Sequence, residues 1–240
     1  MAESRTVGDG LGERLANIRS RIIQVLERSN RPTDDVTLVA ISKTHPASTI
    51  KEIIKLGAAD LGENRIQEAE TKILEVGKDT VRWHLVGHLQ ANKARRAVKL
   101  FDVIHSLDSI ELAQRLDRLC QEECAQVSVL IQVDLGKEDT KSGVSESDLA
   151  AVAGYVSKCE HLRFAGLMTL PPFFEDVELV RPFFQKLASL RDQLADQGMF
   201  PDSRGELSMG MTHDFEVAIE EGATIVRIGT AIFGERSQTE

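Results

Sequence analysis

The feature that most constrains this chain is a rhythm: apolar runs of strand length alternate with amphipathic runs of helix length from residue 36 almost to the end. The strand-like runs fall at 36–42, 59–62, 82–87, 103–107, 127–134, 162–169, 206–209 and 224–229. Helical periodicity fills 47–57, 64–76, 91–100, 109–123, 145–158, 175–197 and 213–221. A further helix precedes them, marked by Leu11, Leu15, Ile18, Ile22, Val25 and Leu26 on one face. Alternating elements imply parallel strands with right-handed crossovers, and eight such units imply closure. The expected fold is therefore α/β, a single (β/α)8 TIM-type barrel with an extra N-terminal helix. Such barrels take roughly 250 residues, so the 240 residues present leave little for anything else. The expected organisation is a flexible N-terminus at 1–10, the barrel at 11–234 and a tail at 235–240. A doubly wound open sheet is the alternative, but neither G-x-G-x-x-G nor G-x-x-x-x-G-K-[ST] occurs to mark its phosphate turn.

Composition narrows the class of partner. A formal net charge of −9 argues against a nucleic-acid surface, which needs clustered Lys and Arg. The one basic run, Lys93 to Arg96 with Lys99, reads as a solvated helix face. Three cysteines make no disulfide framework, and Cys120 and Cys124 lack a second pair to complete a zinc site. No stretch approaches the roughly 20 apolar residues of a membrane span, and the N-terminus lacks a signal-type apolar core. A cytoplasmic protein with no membrane or nucleic-acid partner is expected.

In a barrel, ligand sites gather at the C-terminal ends of the strands. The residues there are Ser42 and Lys43; Glu63 and Asn64; His84 and His88; Ser106; Asp134; Met168 and Thr169; Ser208 and Met209; and Arg227, Gly229 and Thr230. Lys43 ends "VTLVAISK", a run oily enough to be buried on both faces. On position alone it snorkels into water; a desolvated lysine would instead favour the neutral amine that attacks a carbonyl. In "TIVRIGTAIFG" (224–234), Gly229 permits close backbone approach and Thr230 offers a hydroxyl, the requirements of the phosphate site often found after strands seven and eight. A phosphate on one wall and an amine on the other suggest a phosphorylated aldehyde. Each residue also has a structural reading. Ser208 caps the following helix, Arg227 pairs with Glu206, Glu63 or another rim carboxylate, and His84 with His88 makes only a weak metal motif.

Taken in order, "LVAISKTHP" (38–46), "LGENRIQEA" (61–69), "WHLVGHLQANK" (83–93), "HSLDS" (105–109), "TKSG" (140–143), "GLMTLPP" (166–172), "LSMGMTHDFEVAI" (207–219) and "VRIGTAIFG" (226–234) form a specific set. Through them the chain resembles, over nearly its whole length, the pyridoxal 5′-phosphate (PLP) homeostasis proteins, the YggS/PROSC family. These are single barrels similar to the N-terminal domain of alanine racemase. The resemblance implies PLP as cofactor, held as an aldimine on Lys43. It implies a phosphate cup of Ser208 and the Gly229–Thr230 backbone, Arg227 facing the pyridine nitrogen, and Asn64 and Met209 on the pocket wall. Asp134 and Gly136 depart from the family's commoner Asn and Ser, so their loop is left out of the site.

An arginine beside the pyridine nitrogen discourages its protonation and makes the ring a weaker electron sink. Racemases of this kind take a further base from a second domain, and with the eighth strand ending near 229 none is expected here. The expectation is a non-enzymatic carrier that exchanges PLP, with PLP-accepting apoenzymes as partners. The alternatives are a PLP-dependent amino-acid enzyme such as a racemase, with His84, His88 or Glu63 as base, and a nucleotide- or protein-binding barrel with an empty lysine site.

Overall fold

The structure, a computed structural model, describes residues 7–136, 142–200 and 203–234. Eight strands close into one parallel barrel in chain order: β1 (Thr37–Ile41), β2 (Asp60–Glu63), β3 (Arg82–Leu85), β4 (Val103–Leu107), β5 (Val127–Gln132), β6 (Leu162–Met168), β7 (Glu206–Ser208) and β8 (Ile225–Ile228). Closure is made by β8 against β1, with Val39 opposite Arg227 and Ala40 opposite Ile228. The helices are α1 (Val7–Arg28), α2 (Ala47–Lys55), α3 (Ile66–Val76), α4 (Ala94–Leu100), α5 (Ile110–Glu122), α6 (Leu149–Val156), α7 (Arg181–Asp196), α8 (Phe215–Glu220) and α9 (Thr230–Phe233). The barrel expected from the alternation is the barrel observed.

The differences lie at the edges. The expected helices at 91–100 and 175–197 each open on a 3-10 turn, Ala91–Lys93 and Val177–Val180, before α4 and α7 begin. Pro182 sits in the first turn of α7, where its missing N–H costs no helical bond. α9 was not foreseen, and α1 starts at Val7, inside the segment 1–10 expected to be flexible; residues 1–6 and the tail 235–240 lie outside the described residues.

Two layers form the core. The outer one packs helices on the barrel, with Trp83, Phe101, Phe184 and Phe215 among its fully buried side chains. The second fills the barrel interior with Val39, Ile41, Val86, Val103, Leu130, Met168 and Ile225. Because side chains alternate along a strand, the parity of these residues also turns Asp60, His84, His105, Ser208 and Arg227 inward. The interior is thus an apolar plug threaded by a polar string.

α1 lies across the end of the chain and secures it. Leu11, Leu15, Ile18, Ile22, Val25 and Leu26 are all buried, as the periodicity requires. Arg14 Nε donates to Ile232 O at 2.6 Å, while Arg31 donates to Ile219 O and Ala223 O at 2.6 and 2.8 Å at the C-terminus of α8. On the opposite side the basic run of α4 forms exposed ion pairs, Arg95 with Glu122 and Glu123, Arg96 with Glu70, and Lys99 with Glu123.

Candidate functional site

A cavity of about 310 Å³ opens at the C-terminal end of the strands. That is the lower end of the range for small-molecule sites, about 300–1,000 Å³. Its polar lining comes from Lys43, Thr44 and His45 after β1, Asn64 after β2, Thr212 and His213 after β7, and Arg227, Gly229 and Thr230 of β8 and α9. Ile41, Val86, Leu170 and Met211 supply apolar walls. Five of the seven site residues expected from sequence therefore share one cavity: Lys43, Asn64, Arg227, Gly229 and Thr230.

The other two expected residues, Ser208 and Met209, do not line it. Ser208 is the last residue of β7, opposite Met168 in register, and points into the barrel one layer below the mouth. It is fully buried, with its hydroxyl engaged by His105 and Arg227. Met209 has the opposite parity and packs into the outer core. The hydroxyl that reaches the mouth after β7 is that of Thr212. Gly210 makes this possible: its φ is +93°, and a Cβ there would stand 2.6 Å from Ala218 Cβ and 3.0 Å from Phe215 Cα. The tight turn it permits carries Met211, Thr212 and His213 to the cavity. Thr212 Oγ1 accepts the Ala231 N–H at 3.5 Å, which joins the β7 loop to the first turn of α9.

Among the described residues Lys43 has no hydrogen-bond or ion-pair partner, and its position is set by its neighbours. Behind it Lys72, from α3, is 7% exposed and donates to Glu63 Oε1, Glu68 Oε1 and Ser42 O, each at 2.7 Å. Ser42 Oγ donates to the same Glu63 oxygen at 2.6 Å, while Glu63 Oε2 is buried without a hydrogen-bond partner. Burial pushes the Glu63 carboxyl above its ordinary range against the pull of Lys72 and Ser42. Glu68 accepts the Thr44 N–H, and Thr44 takes the left-handed conformation at φ +70°. This is an uncommon and costly geometry for a β-branched residue. The cluster thus fixes the turn that presents Lys43, itself half-buried at the cavity wall.

Arg227 is 3% exposed, and it donates through Nη1 to Ser208 Oγ at 2.5 Å and through Nη2 to Thr169 O at 2.9 Å. Neither expected carboxylate partner, Glu206 or Glu63, pairs with it among the described residues. Burial lowers its pKa to about 10, with Asp214 opposing, so it stays charged at neutral pH. His84 and His88 part company: His84 is buried between Asp60 and His105, and His88 is exposed beside Asp108 at 3.3 Å. Among the described residues no three His, Cys, Asp or Glu stand together as a metal site. None of His84, His88 and Glu63 lines the cavity. The imidazoles that do are His45, stacked on Phe233 at 4.8 Å, and His213, against Phe173 at 5.2 Å. Burial, then the charge of Lys72, holds His45 below the usual histidine range. Thr212, Met211, His45 and His213 were all missed from sequence; Gly210, two residues past the end of β7, was the available signal for the first two.

The family described as "Alanine racemase, N-terminal domain" matches residues 14–237. A pyridoxal phosphate homeostasis protein of Aquifex aeolicus is 42% identical over 224 residues, covering 93% of this chain and 97% of the relative. That of Escherichia coli is 36% identical over 237 residues, covering 96% and 98%. The structure of PipY from Synechococcus elongatus with PLP bound superposes with a TM-score of 0.81 at 38% identity, covering 93% of this chain and 100% of that one. An alanine racemase of Clostridium difficile, 17% identical with a TM-score of 0.69, covers 96% of this chain but only 60% of its own and shares the fold alone. The family model and the relatives matched over nearly their whole length show that this chain belongs to the family of pyridoxal phosphate homeostasis proteins, on the fold of the alanine racemase N-terminal domain.

Proposed function

We propose that this protein binds pyridoxal 5′-phosphate in the mouth cavity, covalently through Lys43, and passes it on without turning over a substrate of its own. The observation that carries this reading is the grouping, in one cavity, of an amine, a phosphate-sized set of donors and a buried cation. The donors are the hydroxyls of Thr212 and Thr230 and the first N–H groups of α9, of which that of Ala231 is held only by the long contact to Thr212 Oγ1 at 3.5 Å. Arg227 offers its remaining N–H groups to a ring nitrogen. The cofactor's contribution is its aldehyde, the electrophile that an amine captures. Everything else is the chain's work. Lys43 is presented by the strained Thr44 turn, Asn64 and Val86 form the wall, and Arg227, still charged at neutral pH, discourages protonation of the nitrogen it faces. This weakening of the ring as an electron sink supports a carrier. The relatives named as homeostasis proteins, and the one solved with PLP, support the same choice. Recipient apoenzymes would draw the cofactor away through an amine of their own.

Borohydride reduction followed by peptide mass mapping tests the assignment. The reduced adduct is expected on Lys43 and should vanish in Lys43→Ala. An adduct on any other lysine, or full occupancy in the variant, overturns the role of Lys43. Turnover is tested separately by solvent-deuterium exchange at Cα across a panel of amino acids, where rates on the order of 1 per second or more would overturn the carrier.

A further inference from the structure

An unbroken string of hydrogen bonds crosses the barrel interior. Asp60 Oδ1 lies 2.9 Å from His84 Nε2, His84 Nδ1 lies 2.8 Å from His105 Nε2, and His105 Nδ1 lies 2.8 Å from Ser208 Oγ. Ser208 Oγ in turn accepts from Arg227 Nη1. The string starts at the first residue of β2, at the N-terminal end of the barrel, and finishes at a guanidinium in the cofactor cavity. His84, His105 and Ser208 are fully buried.

Its direction follows from chemistry. Arg227 can only donate and an ionised Asp60 can only accept. Both imidazoles are neutral, since burial holds each below the usual histidine range, His105 far below it, and so each has one donor and one acceptor. With Nε2–H on both rings every contact is matched: Arg227 to Ser208, Ser208 to His105, His105 to His84, His84 to Asp60. The opposite direction needs a proton on Asp60 and leaves the Ser208 hydroxyl hydrogen without its acceptor. An unmatched buried donor is expensive, so one direction dominates.

We infer that Asp60, His84 and His105 are positioning residues for Arg227, acting through Ser208. By taking the Ser208 proton, His105 leaves that hydroxyl only lone pairs to present, so Ser208 and the Thr169 carbonyl together fix the guanidinium plane. This inference rests on the proposed cofactor site for its purpose, but the string is a property of the protein without ligand. Among the described residues no carboxylate stands within ion-pair distance of Arg227; Asp214 acts on it from farther off, and the string links the guanidinium to Asp60 through three neutral groups.

The test begins with ligand-free protein at pH 7. Long-range 1H–15N spectra of 15N-histidine protein are expected to show His84 and His105 both as Nε2–H tautomers, and the Arg227 Nη–H signals should be separately resolved. Asp60→Leu removes the terminal acceptor; it should disturb both tautomers, merge the Arg227 signals and weaken PLP binding by about tenfold. Asp60→Asn, which keeps an acceptor oxygen, should restore all three. Arg82→Leu removes the 3.7 Å ion pair with Asp60 and a charge that acts on both imidazoles, but no hydrogen bond of the string, and should change none of the three. A wild-type Nδ1–H tautomer on either ring overturns the inference, even should Asp60→Leu fail to fold. So does an Asp60→Leu protein whose Arg227 signals and PLP affinity are unchanged. Failure of the cofactor reading registers differently, as a wild-type protein with no reducible adduct on Lys43.

Discussion

Lys72→Met probes the cluster that presents Lys43. The lysine holds three oxygens at 2.7 Å, from Glu63, Glu68 and Ser42. Methionine fills similar space and donates nothing. Glu63 is then fully buried with Ser42 as its only donor, since its second oxygen already has none. Removing one partner of a buried pair costs about 3–5 kcal/mol. For a chain of this size that is a fall in Tm of about 10 °C. A second property separates this cause from lost packing. Burial already raises the Glu63 pKa, and without Lys72 it must rise further. A raised carboxyl binds more protons folded than unfolded, so stability is lost as pH rises from the unfolded value toward the folded one. The deficit of Lys72→Met relative to wild type should therefore shrink between pH 7.5 and 5.5. Glu63→Gln in the same background should recover most of it at pH 7.5. Urea denaturation followed by Trp83, the single buried tryptophan, measures all of this. A deficit below about 1 kcal/mol, or one that is the same at both pH values, would refute the reasoning.

Three further outcomes are expected. Thr212→Val should weaken binding of PLP about tenfold while leaving pyridoxal, which lacks the phosphate, almost unaffected; equal losses for both ligands in titration would remove Thr212 from the phosphate site. Gly210→Ala forces φ +93° on a residue with a Cβ and places that carbon 2.6 Å from Ala218 Cβ, so it should cost about 3 kcal/mol by urea denaturation; a cost below about 1 would show that the turn relaxes. Wild-type stability should fall as pH drops below about 6.5, because His84 and His105 are held neutral in the fold and each binds a proton on unfolding, with a slope of up to about 1.4 kcal/mol per pH unit for each ring. The raised carboxyls of Glu63, Asp108 and Asp214 act in the opposite sense nearer pH 4.5, so the decisive window is pH 7.5 to 5.5, and a flat profile there would contradict buried neutral imidazoles.

How far the sequence could be read depended on which physical signal carried each feature. The barrel was legible because strand and helix periods differ, and eight repeats of that difference leave few closed arrangements. The place of Lys43 on the cavity wall was legible because it stands where an apolar run stops. The Lys72 cluster was not, since an i,i+4 pair with Glu68 looks like any surface ion pair until β2 places Glu63 beneath it. His84 and His105 belong to β3 and β4, 21 residues apart, and only the parallel pairing of those two strands makes them neighbours.

Ser208 is the most instructive case. "LSMGMTHD" contains two hydroxyl residues, Ser208 and Thr212, and residue type alone does not choose between them. Four residues of chain can reach at most about 13 Å when extended, enough to carry a side chain from the barrel interior toward its mouth. What decides is where β7 stops. It stops at Ser208, still in register with Met168, because Gly210 then turns at a φ that most residues avoid. The same turn gives each hydroxyl a different neighbour: Ser208 stays below with His105 and Arg227, and Thr212 emerges beside Ala231 at the start of α9. Substituting Ser208 should therefore disturb the Arg227 end of the cavity, and substituting Thr212 the phosphate end. A Ser208→Ala protein that lost its preference for PLP over pyridoxal, while Thr212→Val kept it, would return the cup to Ser208 and reverse this assignment.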